Sequence, residues 1–163
     1  MVLSYLLIIG LIIIDLVTKL IFSNSFNVGE VVTVIPNVLN VGYVQNTGAS
    51  FGLLEGQQML FFIITLVALA LFGYFFSKSN WQDKKVYTIA FILLISGTLG
   101  NAIDRLLYGY VIDFVQMPFL PIVGATIFNI ADVLLNAGVI LLFIEMLIME
   151  TMRQKKLKRE SND

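Results

Sequence analysis

Residues 59–76 read MLFFIITLVALALFGYFF, eighteen positions without a charged side chain. Wound as a helix at 1.5 Å per residue they rise about 27 Å, close to the ~30 Å hydrocarbon thickness of a bilayer. Working outward, three further segments have the same character: about 2–22, interrupted by Asp15, Thr18 and Lys19, about 86–103, and about 127–145. The whole composition agrees, since 58% of the 163 residues are hydrophobic and 13% are charged, where soluble domains carry roughly 25% charge. A globule of this size in water would be left with large apolar patches. The expected fold class is therefore an all-α polytopic membrane protein with four transmembrane helices, forming a single membrane-embedded domain over 1–163. The first span carries no basic residue before its apolar run and no small-residue cleavage pattern after it, so an uncleaved helix is expected there rather than a signal peptide.

The connections differ in kind. Between the first two spans, Val31–Ile35 and Val38–Val44 are rich in β-branched residues, with Pro36-Asn37 and Gly42 as turn and bulge signals, which predicts a small extracytoplasmic β element. It belongs outside the hydrocarbon, where unpaired backbone groups cannot sit. The connection from about Asp104 to Ala125 holds Tyr108, Tyr110, Phe114, Pro118, Phe119 and Pro121 and reads as an interfacial loop with aromatic anchors. Lys78, Lys84 and Lys85 lie in the remaining connection, and Arg153, Lys155, Lys156, Lys158 and Arg159 in a basic tail over 150–163, whereas residues 23–58 contain no basic residue. The bias of Lys and Arg toward the cytoplasm then places both termini inside, with the tail against anionic headgroups rather than nucleic acid.

Ionisable residues inside a membrane span are costly and ask for a reason. With the termini inside, Asp15 and Lys19, then Asn101, Asp104 and Arg105, then Asp132, all fall at one depth near the outer leaflet surface, with Asp113 in the adjacent loop. Asp15 and Lys19 stand four apart in the favourable order for an ion pair. Gly97, Asn101, Asp104 and Arg105 share a helical face, on which Gly97 and Gly100 admit close approach of a helix or ligand; Asp104 with Arg105 reads as a supporting pair. Asn129, Asp132 and Asn136 line a third face. Phe61, Phe62, Phe72, Phe75 and Phe76 read as lipid-facing or packing residues.

The chain contains no cysteine and no histidine, which excludes disulfide frameworks, cysteine nucleophiles, Ser/His/Asp triads and histidine-ligated metals. Asp113 and Asp132 have no obvious local cation. Two carboxylates brought together at a partly desolvated site share a proton, one serving as base and the other as acid; the same two could instead cap a helix or bind a cation.

The blocks Asp15-Leu-Val-Thr-Lys19, Asn46-Thr-Gly48-Ala-Ser-Phe51-Gly52, Gly97-Thr-Leu-Gly100-Asn101-Ala-Ile-Asp104-Arg105, Val111-Ile-Asp113-Phe114 and Phe128-Asn129-Ile-Ala131-Asp132 resemble, in order and spacing, the signature blocks of the lipoprotein signal peptidases, the type II signal peptidases of bacteria. Thr98 departs from the pattern, since many members carry a second small residue there. The resemblance implies an intramembrane aspartic endopeptidase of the bacterial cytoplasmic membrane. It would remove signal peptides from diacylglyceryl-modified prolipoproteins, N-terminal to the lipidated cysteine, without cofactor or metal. It further implies Asp113 and Asp132 as the catalytic pair. Asn46, Gly48, Asn101, Asp104, Arg105 and Asn129 would support or line the active site, joined by Asn136 from the helical pattern, with Asp15 and Lys19 as structural support or substrate placement. Membrane lipid and the prolipoprotein are the implied partners, with no nucleic acid, and the cyclic peptide antibiotic globomycin is an implied inhibitor. A lid is expected from the β element or from residues 109–121.

Three other readings are open to the residues: a small proton- or cation-coupled transporter using Asp15, Asp104 and Asp132, a Ser/Lys hydrolase built on Lys19 with Ser50 or Ser96, and a scaffold of the cell envelope. The first predicts acids spread through the membrane depth, the second survives loss of Asp113 or Asp132, and the third has no cleavage to lose.

Overall fold

The structure, a computed structural model, describes residues 1–48, 56–121 and 123–160. The element order is α1 (Val2–Ser25), β1 (Val31–Ile35), β2 (Leu39–Asn46), α2 (Gln58–Phe76), α3 (Lys85–Tyr108), β3 (Val111–Gln116) and α4 (Ile130–Glu160). Four helices are long and apolar enough to cross a membrane, and they lie where the apolar runs placed them. Each outruns its expected span at the C-terminal side except α2, because polar residues that end a hydropathy run still propagate a helix. Asn101, Asp104 and Arg105 all lie inside α3, which ends only where Gly109 takes φ +79°, a left-handed cap that glycine adopts without strain. The basic tail likewise continues α4 rather than leaving it at Glu145.

Half of the α3 span is buried, against 6–17% for the other three, so α3 is the axis on which the others pack. Its glycines set the distances. A Cβ on Gly97 would stand 2.5 Å from the Ala131 carbonyl oxygen, and one on Gly138 of α4 would stand 2.7 Å from Leu94 Cγ. Away from the polar residues, Ile8, Phe76, Phe91, Ile92 and Leu94 form the apolar core, where Phe91 packs against Phe72, Phe75 and Tyr87. Trp81 Nε1 donates to the buried Ser4 hydroxyl at 2.7 Å, tying the α2–α3 connection to the start of α1.

The expected β element is present as the antiparallel pair β1–β2, with Asn37 at φ 59° in its turn. The connection after α3 differs from the expected loop: residues 111–116 form β3, antiparallel to β2, and complete a three-stranded sheet in the order β1-β2-β3. Asp113 thus sits on a strand opposite Val44. Val111, Ile112 and Phe114 are buried, Phe114 stacking on Phe22 of α1 at 4.4 Å, so what reads as aromatic anchoring toward lipid is in part the docking of β3 onto the bundle. Much of the 109–121 stretch offered as a lid is this paired strand.

Candidate active site

The N-terminus of α4 organises the site. A helix start leaves its first N–H groups without partners, and Asn129 precedes Ile130 as the cap. Its Oδ1 accepts from the Asp132 N–H at 3.0 Å, while Asp132 Oδ2 accepts from the Asn129 N–H at 3.2 Å, the reciprocal arrangement of a capping box. The Ala131 N–H is taken by Asp15 Oδ1 of α1 at 2.8 Å. Asp132 is therefore fixed by the helix start itself.

The side-chain amide of Asn129 reaches the other carboxylate, donating to Asp113 Oδ1 at 2.7 Å. Asn46 Nδ2, at the end of β2, donates to Asp113 Oδ2 at 2.8 Å, and Asn101 Nδ2 donates to Asp132 Oδ1 at 2.8 Å. Each carboxylate is thus held at both oxygens by neutral donors from different elements. Asp113 is 2% exposed. Burial, reinforced by the charge of Asp132, pushes its carboxyl up from the ordinary 3.8 to about 7, against the opposing pull of the Asn46 and Asn129 hydrogen bonds and of Lys19. Asp113 is thus able to hold a proton near neutral pH, as acid–base work requires.

Beneath it lies a second polar layer. Lys19, 1% exposed, lies 2.8 Å from Asp15 Oδ2 and 3.0 Å from Asp104 Oδ2 and donates to Asn101 Oδ1 at 3.1 Å. The Asp15–Lys19 pair follows the expected spacing. The Asp104–Arg105 pair is absent: Asp104 turns inward to Lys19 and to the Ile112 N–H at 3.0 Å, because adjacent helical residues point about 100° apart. Arg105 instead lies over the Phe61 ring, 4.4 Å from its centre, and donates to the Gly48 carbonyl at 3.3 Å. The Gly48 N–H in turn donates to Asn46 Oδ1 at 3.0 Å. Phe61, assigned only packing from the sequence, is the residue sequence reasoning missed; an aromatic four positions into an apolar helix gives no local sign that a guanidinium will cover it.

Asn136 is exposed and donates only to the Asp132 backbone carbonyl of its own helix, at 2.8 Å. Ser96 is buried and donates to the Ile92 carbonyl at 2.7 Å, and Lys19 is committed to its carboxylates, which leaves the Ser96 form of the Ser/Lys reading without a nucleophile–base contact. Ser50, with Ala49, Phe51 and Gly52, lies outside the described residues. Among the described residues no cluster of three or more acidic side chains is placed to hold a metal ion. Asp15, Asp104, Asp113 and Asp132 are joined through Lys19, Asn101 and Asn129 into one cluster rather than spread along the bundle as an ion path would be.

Fold and site together define a multi-pass membrane protein with a pair of carboxylates, Asp113 buried and Asp132 half-buried, at one end of its bundle. Residues 7–148 match the family model described as signal peptidase (SPase) II. A protein named lipoprotein signal peptidase from Latilactobacillus sakei subsp. sakei (strain 23K) is 45% identical over 122 residues, covering 75% of this chain and 78% of the relative. Its namesake from Staphylococcus aureus (strain JH9) is 41% identical over 144 residues, covering 88% and 87%. Among solved structures, one titled as a bacterial membrane enzyme by the in meso method at 1.9 Å resolution superposes with a TM-score of 0.79 at 40% identity, covering 90% of this chain and 94% of the other. The chain belongs to the signal peptidase II family, and by that membership it is a peptidase.

Proposed function

We propose that the chain is an aspartic endopeptidase that cleaves signal peptides from diacylglyceryl-modified prolipoproteins, on the N-terminal side of the lipidated cysteine. The observation that carries this is the double grip of Asn129, whose amide holds Asp113 at 2.7 Å while its backbone N–H holds Asp132 at 3.2 Å. A chain without histidine or cysteine thereby has two carboxylates poised on one site. Asp113, the more buried, carries the proton, and Asp132 serves as the base. A water between them loses a proton to Asp132 as it attacks the scissile carbonyl. Asp113 donates to the developing oxyanion, and Asp132 passes the proton to the leaving amine. Asn46 and Asn101 hold the acid and the base in place, Arg105 ties Gly48 to α3, and Asp15, Lys19 and Asp104 support the layer beneath.

The chain works as one domain in the bacterial cytoplasmic membrane, both termini cytoplasmic and the carboxylates near the outer leaflet surface. There a membrane-anchored peptide can present its cleavage site laterally from the lipid. A cyclic peptide that occupies the pair, such as globomycin, inhibits it. Detergent-purified protein given a lipidated prolipoprotein tests the reading: Asp113→Asn and Asp132→Asn, each verified as folded, abolish cleavage. Near wild-type rates from both would remove the aspartates from the chemistry.

A further inference from the structure

Asp15 is fully buried on α1, yet its Oδ1 accepts from the Ala131 N–H of α4 at 2.8 Å. To do so its carboxylate lies against α3 at Gly100, where a Cβ would stand 2.5 Å from Asp15 Oδ2, 3.1 Å from Ala131 Cβ and 3.2 Å from Asp15 Cγ. The backbone there is helical and makes no conformational demand for glycine, so the space is what the residue supplies. The capped N–H belongs to the residue next to Asp132, whose own N–H is accepted by Asn129 Oδ1. Without Asp15 the first turn of α4 has an unpaired N–H at the fully buried Ala131, which costs free energy that a shift of the helix start would relieve.

We propose that Asp15 and Gly100 act as a positioning pair: Gly100 leaves the opening through which the α1 carboxylate caps α4 and so sets Asp132 relative to Asp113. The inference rests on the aspartate-pair reading above and adds the means by which the spacing of that pair is held. Ion pairing with Lys19 is a separate property of the same carboxylate, carried by its other oxygen.

The two roles come apart by substitution. Asp15→Asn keeps a carbonyl acceptor for Ala131 while losing the charge, and Asp15→Leu keeps bulk while losing the acceptor. Deuterium exchange at the start of α4 reads the cap, and kcat and KM on a lipidated prolipoprotein read its consequence. Asp15→Asn retains slow exchange and a kcat within a few-fold of wild type; Asp15→Leu and Gly100→Ala lose protection and about 100-fold in kcat, the scale of a roughly 1 Å misplacement, with KM little changed. The alkaline limb of the pH profile also moves down in those two variants. Asp113 is faced by Lys19 from α1, Arg105 from α3 and Asp132 from α4, while Asp104 of α3 pairs with Lys19; withdrawal of Asp132 removes the charge that favours the protonated form of Asp113.

The double variant Gly100→Ala/Ala131→Gly relieves the clash with Ala131 but not the one with Asp15. It stays impaired if Asp15 is the reason for Gly100, and recovery to wild-type kcat would overturn the proposal by assigning the effect to helix packing. Lost protection in Asp15→Leu with unchanged kcat and pH profile would also overturn it while leaving the catalytic pair standing. Were Gly100→Ala not to fold, Asp15→Leu against Asp15→Asn decides alone. The catalytic reading itself fails by a different result, an active Asp132→Asn.

Discussion

At the scale of the residue, the protonation of Asp113 is the quantity most open to measurement. Its carboxyl is pushed to about 7 first by burial and then by Asp132, so cleavage by an enzyme that needs this proton declines as pH rises through about 7. The nearby Tyr110 does not account for such a limb, since the hydrogen bond to Tyr43 holds its hydroxyl up at about 12. Asn46 favours the ionised form of Asp113; Asn46→Ala therefore lowers kcat yet moves the limb to higher pH, and a pH–rate profile in the two proteins checks the sign. Linkage works in the same direction on stability. A folded-state pKa raised from the ordinary 3.8 contributes stability that is full below about 4 and is lost as pH rises through about 7. Wild-type Tm accordingly falls between pH 5 and 8 more than that of Asp113→Asn. Phe61 offers a second residue-scale check. A guanidinium over an aromatic face contributes about 0.5–2 kcal/mol, so Phe61→Leu lowers cleavage by roughly 2- to 30-fold and Phe61→Trp restores it.

Elements carry a different kind of constraint. The start of α4 lies within van der Waals reach of α3 because Gly97 has no side chain, and a methyl there meets the Ala131 carbonyl at 2.5 Å and Leu135 Cγ at 2.8 Å. Gly97→Ala forces the helices apart at the level of the site and costs about 1–3 kcal/mol, read as a lower melting temperature in detergent together with slower cleavage. Strand β3 is the other decisive element. It was not legible as a strand, because Val111-Ile112-Asp113-Phe114-Val115 lacks the apolar/polar alternation of a half-exposed strand. The structure supplies the reason: its first four residues are buried on both faces, between the sheet and the helix tops.

For the whole molecule, the asymmetry between the two ends of the bundle was plain in the sequence, as the carboxylates and asparagines gather at one end and Lys78, Lys84 and Lys85 lie at the other. The natural absence of cysteine makes the proposed sidedness directly testable. Single cysteines placed at Val34 in the exposed strand β1 and at Lys85 at the start of α3 should differ in reaction with a membrane-impermeant thiol reagent on intact cells, the first labelling and the second only after permeabilisation. The opposite pattern would invert the orientation and move the carboxylates to the cytoplasmic side.

The sequence by itself determined the four spans, the β hairpin between the first two, and the polar residues that meet at one depth. Each of these depends on local composition or on the 3.6-residue period, which a single segment carries. Only the tertiary structure decided which polar group meets which: that Asp104 pairs with Lys19 and not with its neighbour Arg105, that Arg105 lies over Phe61, that Asp15 caps a helix more than a hundred residues away, and that Asn129 holds both carboxylates at once. These partnerships depend on how far apart the helix axes lie and how they are rotated. That is set by the glycines of α3 and α4 and by the docking of β3, and no window of sequence contains it.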